Sequence, residues 1–146
     1  MELNLEGCSD RLDATCQFAH WCEQLGYDVR LHESGKFFVL NSRFKWNGDV
    51  KADTLGNHRV VFSSLWSAKK FDKTPRSEWV LQMNILNDDQ NYFKFSFDDD
   101  GIMTVQVYLV FLGKLHPRLL RNFLATSDAY LEHLFQEHND FFQDKL

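Results

Sequence analysis

The sequence predicts an α+β domain in which a largely antiparallel sheet packs against helices. Three patterns carry this expectation: a helical stripe near the start, alternating strand patterns joined by turn residues in the middle, and a long amphipathic pattern at the end. The expected order is α-β-β-β-α-β-β-α, and strands joined as consecutive hairpins run antiparallel. One domain is expected over residues 1–146, because a chain of 146 residues buries roughly 70% of its unfolded surface in a single core.

Over residues 10–25, Leu12, Thr15, Phe18, Ala19, Cys22 and Leu25 share one helical face. Ser9 or Asp10 can cap the start and Gly26 can end the helix. Tyr27, Val29 and Leu31 then alternate, Ser34 and Gly35 supply a turn, and residues 36–40 resume with bulky β-formers, which is a hairpin pattern. Asn47-Gly48 reads as a second strong turn, and the polar stretch from there to Gly56-Asn57 as a loop or short extra hairpin. Residues 58–66 form the next expected strand, with Val60, Phe62, Ser64 and Trp66 on one face and Val61, Ser63 and Leu65 on the other.

Thr74-Pro75 is a helix-start signature, a hydroxyl cap before the residue tolerated at the first helical position. A second helix is expected over residues 75–86, ended by Asn87, Asp88 and Asp89. Phe93, Phe95 and Phe97 alternate up to a turn at 98–101, and the returning strand over 102–112 sets Met103, Val105, Val107, Leu109 and Phe111 on one face. Gly113 and Pro117 separate it from a long helix striped by Leu120, Phe123, Leu124, Ser127, Leu131, Leu134, His138 and Phe141.

A net charge of −5 argues against general affinity for nucleic acid, which clustered Lys and Arg provide. Two local basic groups, Lys69, Lys70, Lys73 and Arg76, and Lys114, His116, Arg118 and Arg121, have acidic or apolar neighbours and read as solvated surface. Residues 1–10 lack the basic start and apolar stretch of a secretory signal, and the uncharged run 101–113 is shorter than the roughly 20 residues of a spanning helix. A cytoplasmic protein away from the membrane is expected, with Cys8, Cys16 and Cys22 as reduced thiols.

Asp98, Asp99, Asp100 and Gly101 suggest a calcium loop until the spacing is tested. With Gly101 as the invariant glycine, Val107 falls where a bidentate Glu belongs, so a hairpin turn is the better reading. Cys16 and His20 share a helical face, but Cys22 is turned about 120° from Cys16 and nothing completes a zinc set. His133 and His138, five apart, also diverge. No nucleophile motif, glycine-rich phosphate loop or metalloprotease helix occurs, so no catalytic residue, metal or cofactor is expected.

Aromatic content is the informative excess: 14 Phe, 4 Trp and 4 Tyr in one small domain. If the Phe93 and Met103 faces meet the helices, Tyr92, Tyr108 and Val110, with Phe62 and Trp66, face the other way. Such a face is covered by the protein's own helix or left for a partner. Binding of another protein is therefore the expected function, with a homodimer as one way to cover the surplus rings. The alternatives are an acidic inhibitor of the immunity type, which would present clustered Asp and Glu to a basic partner, and a small enzyme, which would need a deep polar pocket.

The run Val80-Leu81-Gln82-Met83-Asn84-Ile85-Leu86-Asn87, the strand from Tyr92 to Phe97, Asp100-Gly101 and the apolar strand to Leu112 before a helix resemble the YbjN family. Members are known as bacterial sensory transduction regulators with the fold of type III secretion chaperones. The resemblance covers about half the chain. It implies a bacterial cytoplasmic, non-enzymatic, chaperone-like domain that holds an extended segment of a protein partner. Similar secretion chaperones dimerise through the region of the second helix, which would place Trp79 near the contact.

Overall fold

The computed structural model describes residues 1–68, 74–143 and 145–146. Its elements are β1 (Leu3–Asn4), α1 (Arg11–Gln24), β2 (Asp28–Leu31), β3 (Phe38–Asn41), β4 (Lys45–Ala52), β5 (Asn57–Ser67), α2 (Arg76–Asp89), β6 (Lys94–Phe97), β7 (Ile102–Leu112), β8 (Lys114–Leu115), α3 (Pro117–Glu137) and the single turn α4 (Asn139–Phe142). A mostly antiparallel sheet of six strands runs in the order β2-β3-β4-β5-β7-β6, and β1 pairs with β8 apart from it. The backbone groups into two compact units, residues 1–62 with 108–128, and residues 63–107 with 129–146. Among the described residues no helix is long and apolar enough to cross a membrane.

In the first unit, Asp10 accepts a hydrogen bond from the Asp13 N–H at 2.9 Å and so caps α1, satisfying a donor that has no partner inside the helix. The helix buries Ala14, Thr15, Phe18, Ala19, Trp21 and Cys22. Phe18 stacks on Phe38 at 5.4 Å, both rings meet the edge of Phe62 at 6.3 and 6.0 Å, and Phe62 lies 5.4 Å from Phe123. This aromatic cluster is the centre of the unit's core.

Asn47-Gly48 is not a turn, contrary to the sequence expectation. Both residues lie inside β4, with Asn47 opposite Val39 and Gly48 opposite Phe38. The Phe38 ring fills the space a Cβ on residue 48 would take, with its Cε2 atom 2.7 Å from that position. The glycine therefore serves cross-strand packing, and the chain reverses instead at 42–44 and 53–56, where Ser42 N–H donates to Phe44 and Gly56 N–H to Asp53. The registered pairing with β3 ends at Gly48, and two residues further along β4 the buried Thr15 hydroxyl accepts from the Val50 N–H at 3.0 Å. A side chain of α1 there takes a backbone donor that a neighbouring strand would otherwise take.

In the second unit, Pro75 is extended (φ −56°, ψ 143°) and stands outside α2 as its cap, so the helix starts one residue later than Thr74-Pro75 suggested. The helix also continues through Asn87 and the two Asp residues expected to end it. Asn87 spends its amide elsewhere: Nδ2 donates to the Phe95 carbonyl at 2.9 Å, and Oδ1 accepts from the Phe95 N–H at 2.8 Å. Gln90 repeats the pattern on Phe93, donating to its carbonyl at 2.9 Å and accepting from its N–H at 2.7 Å. The hairpin β6–β7 turns at 98–101 as expected, with the Asp98 carboxylate accepting from the N–H groups of Asp100 and Ile102, both at 2.9 Å, and Gly101 at φ 80°.

Candidate functional site

Strand alternation sets an exposed apolar strip along β7. Val107 and Phe111 point into the protein, while Tyr108, Val110 and Leu112 point out, 42%, 60% and 70% exposed. The Arg59 guanidinium of β5 lies over the Tyr108 ring, 5.1 Å from its centre. Beside Val110 is an open depression of about 260 Å³, lined also by Lys51, Ala52, Asp53, Asn57 and Arg59. All of these residues belong to the first unit. The arrangement combines an aromatic ring, a guanidinium and two exposed aliphatic side chains, which suits protein surface better than a small polar substrate.

The six residues named from the sequence separate. Tyr108 and Val110 share the strip. Phe62 is completely buried among Phe18, Phe38 and Phe123, so it cannot contribute to an exposed face. The cause is that β5 is covered on both sides here: Val60, Val61 and Phe62 are buried in succession, and alternation alone does not say which side is open. Trp79 is also completely buried, stacked on Phe97 at 4.7 Å and met by Phe141 at 4.9 Å, which removes it from a helix-mediated contact surface. Trp66 is half-buried against Phe135 at 5.1 Å, and Tyr92 half-buried on Tyr130 at 5.6 Å. Sequence reasoning missed Leu112, which the alternation of β7 does signal, and Arg59, which only the pairing of β5 with β7 brings to Tyr108.

The remaining candidate chemistry is dispersed. Cys22 is buried, and burial pushes its thiol far up, while Cys16 is exposed and the His20 ring meets the Gln24 amide at 3.1 Å. Among the described residues no three His, Cys, Asp or Glu side chains converge as a metal-ligand group. Of the first basic group, Lys69, Lys70 and Lys73 lie outside the described residues, and Arg76 pairs with Asp99 at 2.9 Å. In the second, Lys114 reaches Glu6 at 3.7 Å and His116 accepts from the Arg118 N–H at 3.0 Å.

The fold resembles a solved structure, that of YbjN from E. coli. The two superpose with a TM-score of 0.62, covering 94% of this chain and 96% of the other, at 14% sequence identity. This chain has a YbjN-like fold. No family model matches the sequence, and no curated protein matches it either. The likeness to YbjN is one of architecture, and a shared fold does not by itself carry a function.

Proposed function

We propose that this protein is a non-enzymatic protein-binding domain with a regulatory or chaperone-like role in a bacterial cytoplasm, and that it holds its partner on the strip of Tyr108, Val110 and Leu112. The observation that carries this reading is the exposure of three successive outward residues of β7, all apolar or aromatic, beside the Arg59–Tyr108 stack. Aromatic and arginine side chains are the usual anchors of protein interfaces, and isolated exposed aliphatics do not form such a run. YbjN from E. coli is a candidate transcription regulator. A net charge of −5 favours regulation through a protein contact over direct binding of DNA in this chain. The apolar strip also favours this reading over an acidic inhibitor, whose contact would be a carboxylate cluster.

The test is affinity capture from bacterial lysate with the wild type, Tyr108→Ala and Val110→Glu. Both substitutions face solvent, so the three melting temperatures should stay together. A protein retained by the wild type and lost with both variants supports the strip as the docking face. Retention of the same proteins by all three would place the contact elsewhere.

A further inference from the structure

The two ends of the six-stranded sheet are treated differently. At β6 and the residue before it, the N–H and C=O groups of Phe95 and Phe93 are taken by the amides of Asn87 and Gln90, as a neighbouring strand would take them. At the other end, β2 has only β3 beside it. His32 donates to the Phe37 carbonyl at 2.9 Å, which continues the ladder in which Arg30 faces Val39 and Asp28 faces Asn41. Antiparallel alternation then turns the N–H and C=O groups of Val29 and Leu31 away from β3. Next to them α1 leaves an open depression of about 180 Å³ lined by Cys16, Ala19, His20, Glu23, Val29 and Leu31. Among the described residues none of these α1 side chains bonds the β2 backbone as Asn87 and Gln90 bond that of β6.

We propose that two copies of this chain pair antiparallel through the open β2 edges, in the register centred on Val29 that sets Asp28 of each copy opposite Arg30 of the other. The sequence of the strand is what selects the second copy as occupant. Around a two-fold axis at Val29, Asp28 meets Arg30 twice, Val29 meets itself, and Tyr27 meets Leu31. Slipping by two residues either way, which keeps each side chain on its face, sets Asp28 against Asp28 or Arg30 against Arg30. Charge on an edge strand ordinarily discourages pairing. One acid and one base flanking a valine instead favour a copy of themselves in a single register. Both charges are exposed on the same face, where Asp28 accepts from the Asn41 amide at 3.2 Å and Arg30 has no ion pair among the described residues. The interface is isologous and closes, which limits assembly to a dimer.

Sedimentation equilibrium across micromolar to hundred-micromolar protein tests this. The wild type is expected to approach twice the 17.3 kDa of one chain. Arg30→Asp or Asp28→Arg opposes like charges at two symmetric positions and should raise the dimer Kd about tenfold or more. The double exchange Asp28→Arg with Arg30→Asp should recover it to within about threefold. Val29→Pro removes an outward N–H without touching the bonds to β3 and should leave a monomer. Circular dichroism melts of each variant separate loss of pairing from loss of fold. A wild type that stays at 17.3 kDa throughout, a dimer indifferent to these single changes, or a double exchange that fails to recover while remaining folded overturns the proposal.

Discussion

The side chain of Asn87 meets the backbone of Phe95 with both ends of its amide, one donating at 2.9 Å and the other accepting at 2.8 Å. Two hydrogen bonds to a single residue are what a neighbouring antiparallel strand would supply at that point. With Gln90 doing the same for Phe93, the last turn of α2 seals the edge of β6 and ties the helix to the strand that follows it.

Removing either amide should cost more than an ordinary hydrogen bond, because it takes away two bonds at once, one to a backbone donor and one to a backbone acceptor. Asn87→Ala and Gln90→Leu are each expected to destabilise by about 1–3 kcal/mol in urea unfolding. Asn84→Ala, on the exposed side of the same helix, should stay within about 0.5 kcal/mol. The two sealed-edge variants should also aggregate at lower concentration than the wild type, since an unpaired strand edge is a template for other chains.

Gly48 and Phe38 make a second prediction. Any side chain at 48 must displace a completely buried ring, so Gly48→Ala should cost about 1–3 kcal/mol as overpacking. In the background Phe38→Leu the same substitution should cost clearly less. A double-mutant cycle with no coupling between the two positions would show that the glycine is needed for its backbone and not for the ring.

What the sequence made legible follows from how local the determining contacts are. The cap and end of α1, the hairpin turn at 98–101 and the full extent of β7 all rest on residues within a few positions of each other. Gly48 misled because a glycine needed for a ring across the sheet has the same spelling as a glycine needed for a turn. Asn87 misled likewise: it reads as a helix terminator, but its partner is eight residues on. Of the outward aromatic face, Tyr108 and Val110 were legible from alternation along one strand. The burial of Phe62 was not, nor was that of Trp79 on the second helix, because both depend on Phe18, Phe123 and Phe141, which approach from distant parts of the chain.

Asp128 holds the 42–46 segment in the first unit, accepting from the Trp46 indole at 2.9 Å and the Arg43 N–H at 3.2 Å. Both Trp46 and Asp128 are buried. Asp128→Ala should therefore cost about 1–3 kcal/mol, since it removes two hydrogen bonds to a buried carboxylate, while Asp128→Asn, which keeps an acceptor oxygen, should cost less. Equal losses in the two variants would show that the charge, not the hydrogen bond, is what matters.

The three thiols should react in a fixed order. Burial raises the Cys22 thiol far above its ordinary value; burial, then the hydrogen bond to Asp13 and its charge, raise Cys8 more modestly. Cys16 is exposed on α1. A thiol reagent at pH 8 should modify Cys16 first, Cys8 more slowly and Cys22 only after denaturant is added. Cys16→Ser should abolish the fast phase and leave the others in place.

The turn after β4 gives a pH dependence of known sign. The Asp53 carboxylate accepts from the Asn57 side-chain amide at 3.1 Å, the Asn57 N–H at 3.0 Å and the Leu55 N–H at 2.8 Å, and these bonds hold its pKa below the ordinary 3.8. Hydrogen bonds to the charged form favour that form, so the folded turn binds its proton less readily than the unfolded chain does. The resulting stabilisation is complete above the ordinary carboxylate range and is lost as pH falls below 3.8 through the depressed folded value. Amide exchange at Leu55 and Asn57, corrected for the intrinsic pH dependence of exchange, should be protected at pH 6 and lose protection toward pH 2.5. In Asp53→Asn the same amides should show little change over that interval. Protection that falls equally in the wild type and in Asp53→Asn would trace the effect to general acid unfolding and not to this carboxylate.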